Sequence, residues 1–232
     1  LLPSDVVINR EVWRIQEQVK LKFDQGKVFI ENFELFRDNQ LLTLNGIVSP
    51  DPKDILFANF RQFKLSTFNP ATSSAGISLS GELNGDLAIS SITKKTKLES
   101  DIKIDSLVMN STSIGDVMIT ANLDNETKLV DVEMNVIKAG KETLFASGTY
   151  NANSQNNKLD IDLVMNNGEV IIFQPFIKNL VSDLSGNVSA QLKLTGTPLN
   201  PKINGSANLI NTGLTINYLK TPYRINDAVT VD

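Results

Sequence analysis

Carboxylates are the groups in this chain with the chemistry for acid–base work, because its 232 residues contain no His and no Cys. An imidazole base, a thiolate nucleophile and the ligands that dominate zinc and transition-metal sites are therefore missing. Carboxylates serve as a general acid and base where burial or a positioned partner moves their pKa values apart. Asp101, Asp105, Asp160 and Asp162 alternate with Ile102, Ile104, Ile161 and Leu163, which puts them on the wet face of strands and gives them a solvation role. Asp5, Asp51, Asp54 and Asp116 fall where turns are expected, and Asp commonly hydrogen-bonds its own backbone there. None of these spacings fits a calcium loop, and no nucleophile motif surrounds any serine. The expectation is no catalytic residue, no metal and no cofactor.

The remaining motifs have plain readings. Asn110-Ser111-Thr112, Asn125-Glu126-Thr127, Asn187-Val188-Ser189 and Asn204-Gly205-Ser206 fit the glycosylation pattern, which arises readily in an Asn- and Ser-rich chain. Lys94, Lys95 and Lys97 form a short isolated cluster that reads as a solvated loop. Gly81 and Gly85 sit within strand patterning, where glycine marks a bulge or bend rather than a phosphate loop. With 22 Lys plus Arg against 26 Asp plus Glu, the net charge of −4 lacks the basic excess that nucleic acid selects. No apolar run approaches the roughly 20 residues of a membrane span, and Leu1 to Asp5 lacks the regions of a signal peptide. Because it starts without Met, the chain reads as a piece of a longer protein, with any anchor elsewhere.

The elements that carry these residues follow from period-two alternation. Val188, Ala190, Leu192 and Leu194 alternate with Asn187, Ser189, Gln191, Lys193 and Thr195. Similar runs contain Leu83 and Leu87, Ile102 and Ile104, Val117 to Leu123, Leu159 to Met165, Ala207 and Leu209, and Leu214 and Ile216. One-sided alternation belongs to antiparallel sheets. Turns are expected at Asp24 to Gly26, Asp38-Asn39, Ser49 to Pro52, Ala139-Gly140, Asn151 to Asn157, Asn166 to Gly168 and Gly196 to Pro201. The spacing of Phe176, Ile177, Leu180, Val181 and Leu184 behind Pro175 predicts one short helix within Phe173 to Asp183. A weaker counterpart lies at Phe68 to Ser74; Glu11 to Gln18 could be misread as helical, but its flanks Val6, Ile8, Val19, Leu21 and Phe23 favour strands on either side.

Internal repetition organises the whole. Val28 to Gly46 lies over Val130 to Gly148 without a gap, and Phe68-Asn69-Pro70 lies over Phe173-Gln174-Pro175, at a steady offset of roughly 102 to 105 residues. The chain reads as two copies, 28–129 and 130–232, preceded by the end of an earlier one, 1–27. Alternation continues from Asp116 to Val136, broken only by the hairpin-sized Asp124 to Lys128. That favours one continuous sheet over tandem β-sandwiches, the architecture of a structural or adhesive module that presents loops to a protein or glycan. Periodicity alone leaves open whether the apolar face lines a trough or closes on itself as a filled core. A face of this extent must be covered by something.

Gly196-Thr197-Pro198-Leu199-Asn200-Pro201-Lys202-Ile203-Asn204-Gly205, with Leu184 to Leu192 before it and Ala207 to Tyr218 after it, resembles the recurring segment of the TamB family. These are AsmA-like envelope proteins that include the inner-membrane subunit of the translocation and assembly module. Further likeness lies in Pro3 to Trp13, in Leu41 to Gly46 with Val48-Ser49, and in Ile55 to Leu65 running into Phe68. The resemblance covers essentially the whole chain, as an internal or C-terminal segment. It implies an all-β fold: a continuous antiparallel curled sheet forming an elongated U-section groove with an apolar interior and at most one or two short helices. It further implies a periplasmic location in an inner-membrane-anchored protein, and non-enzymatic conduction of phospholipid between inner and outer membrane. Both membranes would be reached through parts of the protein not present here. An outer-membrane barrel protein is the implied partner for a role in outer-membrane protein assembly. Leu83, Leu87, Ile102, Ile104, Val188, Ala190, Leu192, Leu194, Ala207, Leu209, Leu214 and Ile216 are the expected groove lining.

Overall fold

Alternation becomes sheet along nearly the whole chain in the computed structural model, which describes all residues except 1–3, 52, 74–75, 91–96, 124–128, 152–153, 178, 199, 226–228 and 232. The first strands are β1 (Ser4–Ile8), β2 (Glu11–Ile15), β3 (Lys20–Asp24), β4 (Lys27–Arg37), β5 (Gln40–Val48) and β6 (Ile55–Lys64). They are followed by β7 (Leu79–Ser90), β8 (Lys97–Met109), β9 (Thr112–Leu123), β10 (Leu129–Lys138), β11 (Lys141–Asn151) and β12 (Leu159–Glu169). The last are β13 (Val181–Thr197), β14 (Asn200–Ile216), β15 (Thr221–Ile225) and β16 (Val229–Val231). All belong to one sheet whose order follows the chain, with β3 also on β4 and β16 also on β14. The fold is an all-β antiparallel sheet that does not close into a barrel. Strands of tandem sandwiches would instead be shared between facing sheets.

Helical structure is confined to two places. A 3-10 turn at Leu65–Phe68 runs into α1 (Asn69–Thr72), and a 3-10 turn at Val170–Phe173 runs into α2 (Gln174–Ile177). The two match residue for residue in the internal repeat. The helix expected within Phe173 to Asp183 is thus shorter than its apolar spacing suggested, because β13 begins at Val181, which pairs with Ile216 of β14, and takes in Leu184. Strands Ser4–Ile8 and Lys20–Asp24 lie on either side of Glu11 to Gln18, as the flanks indicated, and Glu11–Ile15 is itself a strand.

One expected turn is corrected. Asn166 to Gly168 lies inside β12 as a bulge, with Met165 opposite Ala190 and Gly168 opposite Val188. The extra residue is accommodated by a positive φ of 50° at Asn167, so the strand bends without ending. Gly196 to Pro201 does connect two strands, and the ladder runs into it: Gly196 pairs with Pro201 and Thr197 with Asn200. The expected break at Asp124 to Lys128 and the pair Lys94 and Lys95 lie outside the described residues.

The chain divides into two compact units, residues 1–105 with 118–131, and residues 106–117 with 132–232. The first is built on an aromatic cluster. Trp13 is fully buried, stacks on Phe63 at 5.2 Å between ring centroids, and Phe63 in turn meets Phe60 at 5.6 Å and Phe68 at 5.5 Å. Gln40 is buried beside this cluster's strands and its Oε1 accepts the Lys64 N–H at 2.9 Å. In the second unit aliphatic side chains take this role, with Met165, Val188, Val170 and Ile172 all buried.

Candidate functional site

Residues directly opposite in an antiparallel pair share a face, so the register shows which side chains the sheet gathers. In the first unit one row runs Phe33, Leu44, Ala58, Leu87, and the next runs Ile30, Gly46, Leu56, Ile89. Leu83 faces Phe63 on the same side. Gly85 continues the row of Leu35, Leu42 and Phe60, and a Cβ built there would lie 2.9 Å from the Ile102 Cα. Ile102 and, two residues on, Ile104 therefore stand on the face that holds Leu83 and Leu87.

The second unit repeats the arrangement. Its rows are Leu144, Met165, Ala190, Ala207; Ala146, Leu163, Leu192, Gly205; and Gly148, Ile161, Leu194, Ile203. Val188 faces Leu209. Leu209 and Leu214 are an odd number of residues apart, so an unbroken strand would turn them to opposite faces. A bulge at Asn211, with a φ of 49°, resets the alternation, and Leu214 and Ile216 join the face of Leu209. All eight expected residues of this unit thus share a side.

This face is covered unevenly. Leu83, Ile104, Val188 and Ala190 are buried, whereas Leu87, Ile102, Leu192, Leu194, Ala207, Leu209, Leu214 and Ile216 are only half-buried. Ile203, in line with Leu194, is 49% exposed. A second sheet packed on this face would bury all of them.

The opposite face carries the charges. Lys193 Nζ lies 2.5 Å from Asp160 and 3.1 Å from Asp162, and hydrogen bonds to these carboxylates, the Asp160 bond foremost, raise its pKa above the ordinary lysine value. Lys103 pairs with Asp105 at 2.6 Å, and Asp101 is exposed. Two of the residues assigned to turns are corrected. Asp5 lies in β1 and pairs loosely with Arg14 at 3.9 Å, and Asp116 lies in β9, where its carboxylate accepts the N–H of Ser106 at 2.8 Å. Ser106 has a φ of 53°, so its amide turns out of the ladder and needs such an acceptor.

Asp54 has the positioned partners that sequence reasoning missed. Its Oδ2 accepts from Lys27 Nζ at 2.6 Å and from Ser49 Oγ at 2.6 Å, tying the starts of β4 and β6 to the end of β5. The Lys27 hydrogen bond, then that of Ser49, holds the Asp54 carboxyl below its usual range, and the same bond raises Lys27. Lys27 and Asp54 are 27 residues apart, beyond any local pattern. Among the described residues no group of His, Cys, Asp or Glu is placed to hold a metal ion. Nor is any helix among them long and apolar enough to cross a membrane.

The family model for the TamB N-terminal domain matches residues 4–209. The chain belongs to the TamB family. TamB-family proteins are envelope proteins, and the family is one of structural and transport modules. Comparisons with curated proteins and with solved structures each found no match. The match spans strands of both units.

Proposed function

We propose that this TamB segment is a non-enzymatic section of a periplasmic lipid conduit, whose apolar face shields phospholipid acyl chains on their way between inner and outer membrane. Each of the two repeats, 28–129 and 130–232, supplies an apolar wall of this kind. The observation that carries this reading is the half-buried state of part of the face: the rows Ile30, Gly46, Leu56, Ile89 and Gly148, Ile161, Leu194, Ile203 are without polar side chains across four strands each and yet incompletely covered by protein. Each acyl CH₂ laid against such a wall gains roughly 0.8 kcal/mol relative to water. A wall without directional polar groups holds no chain in a fixed pose, which suits sliding. Headgroups need no cofactor and stay in water. Anchorage at the inner membrane and a barrel partner at the outer membrane complete this reading for the whole protein.

A photoreactive residue at Leu194 tests this reading against the same residue at Asp162 on the opposite face. Crosslinking to phospholipid from Leu194 alone, with lipid recovered in organic extracts of the purified chain, supports the conduit. Absence of lipid in the extracts and equal labelling at both positions overturns it.

A further inference from the structure

Two turns at one end of the second unit expose side chains that water alone does not favour. Leu180 is 69% exposed, Tyr218 93% and Leu219 52%. They are neighbours, because the Asn217 N–H donates to the Leu180 carbonyl at 3.0 Å. They are also held in place: the Leu180 N–H donates to the Ile177 carbonyl at 2.8 Å, and Thr221 Oγ1 donates to the Leu219 carbonyl at 3.0 Å. Their exposure is therefore a property of ordered turns, two strand ends pinned by hydrogen bonds. The turns lead directly into Val181 and Ile216, which pair with each other at the end of the apolar face.

We propose that Leu180, Tyr218 and Leu219 form a docking tip that inserts into the surface of a phospholipid bilayer, at the mouth of the apolar face. A protein partner is the weaker fit, since a stable interface buries about 800 Å² on each side and three side chains on two turns offer far less. The combination suits a bilayer instead. Leucines enter the acyl boundary, the tyrosine ring with its hydroxyl sits at headgroup level, and Lys220, exposed on the same turn, reaches phosphate. Insertion is driven by the apolar area that these side chains leave in water. As the mouth of the face the tip rests on the lipid reading above; as a bilayer contact it stands on its own side chains.

The chain has no cysteine, so Tyr218→Cys carries an environment-sensitive fluorophore at one site, and Asn204→Cys, exposed on the charged face of β14, carries the control. Vesicles of phosphatidylethanolamine and phosphatidylglycerol should shift the emission at position 218 to the blue and leave position 204 unchanged. In the otherwise unlabelled chain, Leu180→Ser with Leu219→Ser should weaken vesicle co-sedimentation about tenfold or more, at unchanged thermal stability because both side chains are exposed. No shift at 218, an equal shift at 204, or undiminished binding by the double variant overturns the inference, and a shift at 218 caused by an envelope protein without lipid does the same. Crosslinking from Leu194 to a monomeric short-chain phospholipid separates the two readings. If it persists while vesicle binding is absent, the tip alone fails; if vesicles bind and no lipid reaches Leu194, the conduit fails.

Discussion

The side-chain oxygen of Asn84 accepts the backbone N–H of Gln62 at 2.8 Å, across the boundary between β7 and β6. Gln62 has a φ of 49° and sits where Phe60 pairs with Gly85 but Phe63 pairs with Leu83, one residue more on β6 than on β7. The bulge turns its amide away from the ladder, and Asn84 supplies the acceptor that the backbone no longer offers. The repeat reproduces the device with different chemistry: Ser189 Oγ accepts the N–H of Asn167 at 3.0 Å. Asn45 does the same for Asn32 at 2.8 Å. Each bulge keeps the apolar residues on both sides of it on one face, so polar groups on the outer side maintain the apolar inner one.

Asn84→Ala leaves that amide to water and also removes the donor to Asp105. Because the site is open to solvent, the expected loss is about 1 kcal/mol, measured as a lower urea midpoint at an unchanged slope. Asn84→Ser, which keeps a hydroxyl acceptor as Ser189 does in the repeat, should recover part of it.

Glycines in the ladder permit no such exchange. Gly148 has a φ of 154°, and an added Cβ would strike the Asp160 carbonyl oxygen on the neighbouring strand. Gly46 is its counterpart, aimed at the carbonyl of Ile55. Gly148→Ala should cost about 3 kcal/mol or more, because backbone strain and a steric clash add. A thermal melt within error of the parent would show that β11 and β12 are not packed as described.

Much of this was legible in sequence because alternation in a one-faced sheet enforces itself: slipping Leu192 by one residue would put the whole row in water. Leu192 and Leu194 therefore stood out, and so did the repeat that pairs Phe68-Asn69-Pro70 with Phe173-Gln174-Pro175. Bulges were the harder part. Asn166 to Gly168 has turn composition, and only the ladder on both sides, visible once Val188 is found opposite Gly168, shows that the strand continues. Asn84-Gly85 has the composition of a hairpin turn too, but the alternation around it marked Gly85 as part of a strand, and it lies mid-strand in β7. The link from Lys27 to Asp54 joins strands far apart in sequence and left no local trace.

That link predicts a pH response. The folded-state pKa of Asp54 is depressed, so its stabilisation is fully present above the unfolded carboxylate pKa, near 3.8, and is lost as pH falls through the lower folded value. Raised Lys27 has the opposite sense: its contribution holds below 10.5 and fades as pH climbs through the higher folded value. Asp54→Asn should flatten the acid limb of melting temperature against pH, with little change in its slope near neutrality. An acid limb identical to the parent's would mean that other carboxylates carry it.

Two substitutions on the same kind of surface should behave differently if the apolar face is a wall rather than a core. Phe63 is 3% exposed and touches Trp13, Phe60 and Phe68, so Phe63→Ala removes a ring from a filled cluster and should cost about 3 to 5 kcal/mol. Leu192 is half-buried and faces Gly205 on one side and Leu163 on the other. A carboxylate there keeps part of its hydration, so Leu192→Asp should leave a cooperatively folded protein, destabilised by roughly 1 to 3 kcal/mol, and should abolish lipid crosslinking from Leu194. Both quantities come from urea unfolding of the two variants beside the parent, with crosslinking run on the folded fraction. Outright unfolding of Leu192→Asp would mark the face as a closed core, because an unpaired charge is tolerated at a wet wall and not in a dry interior.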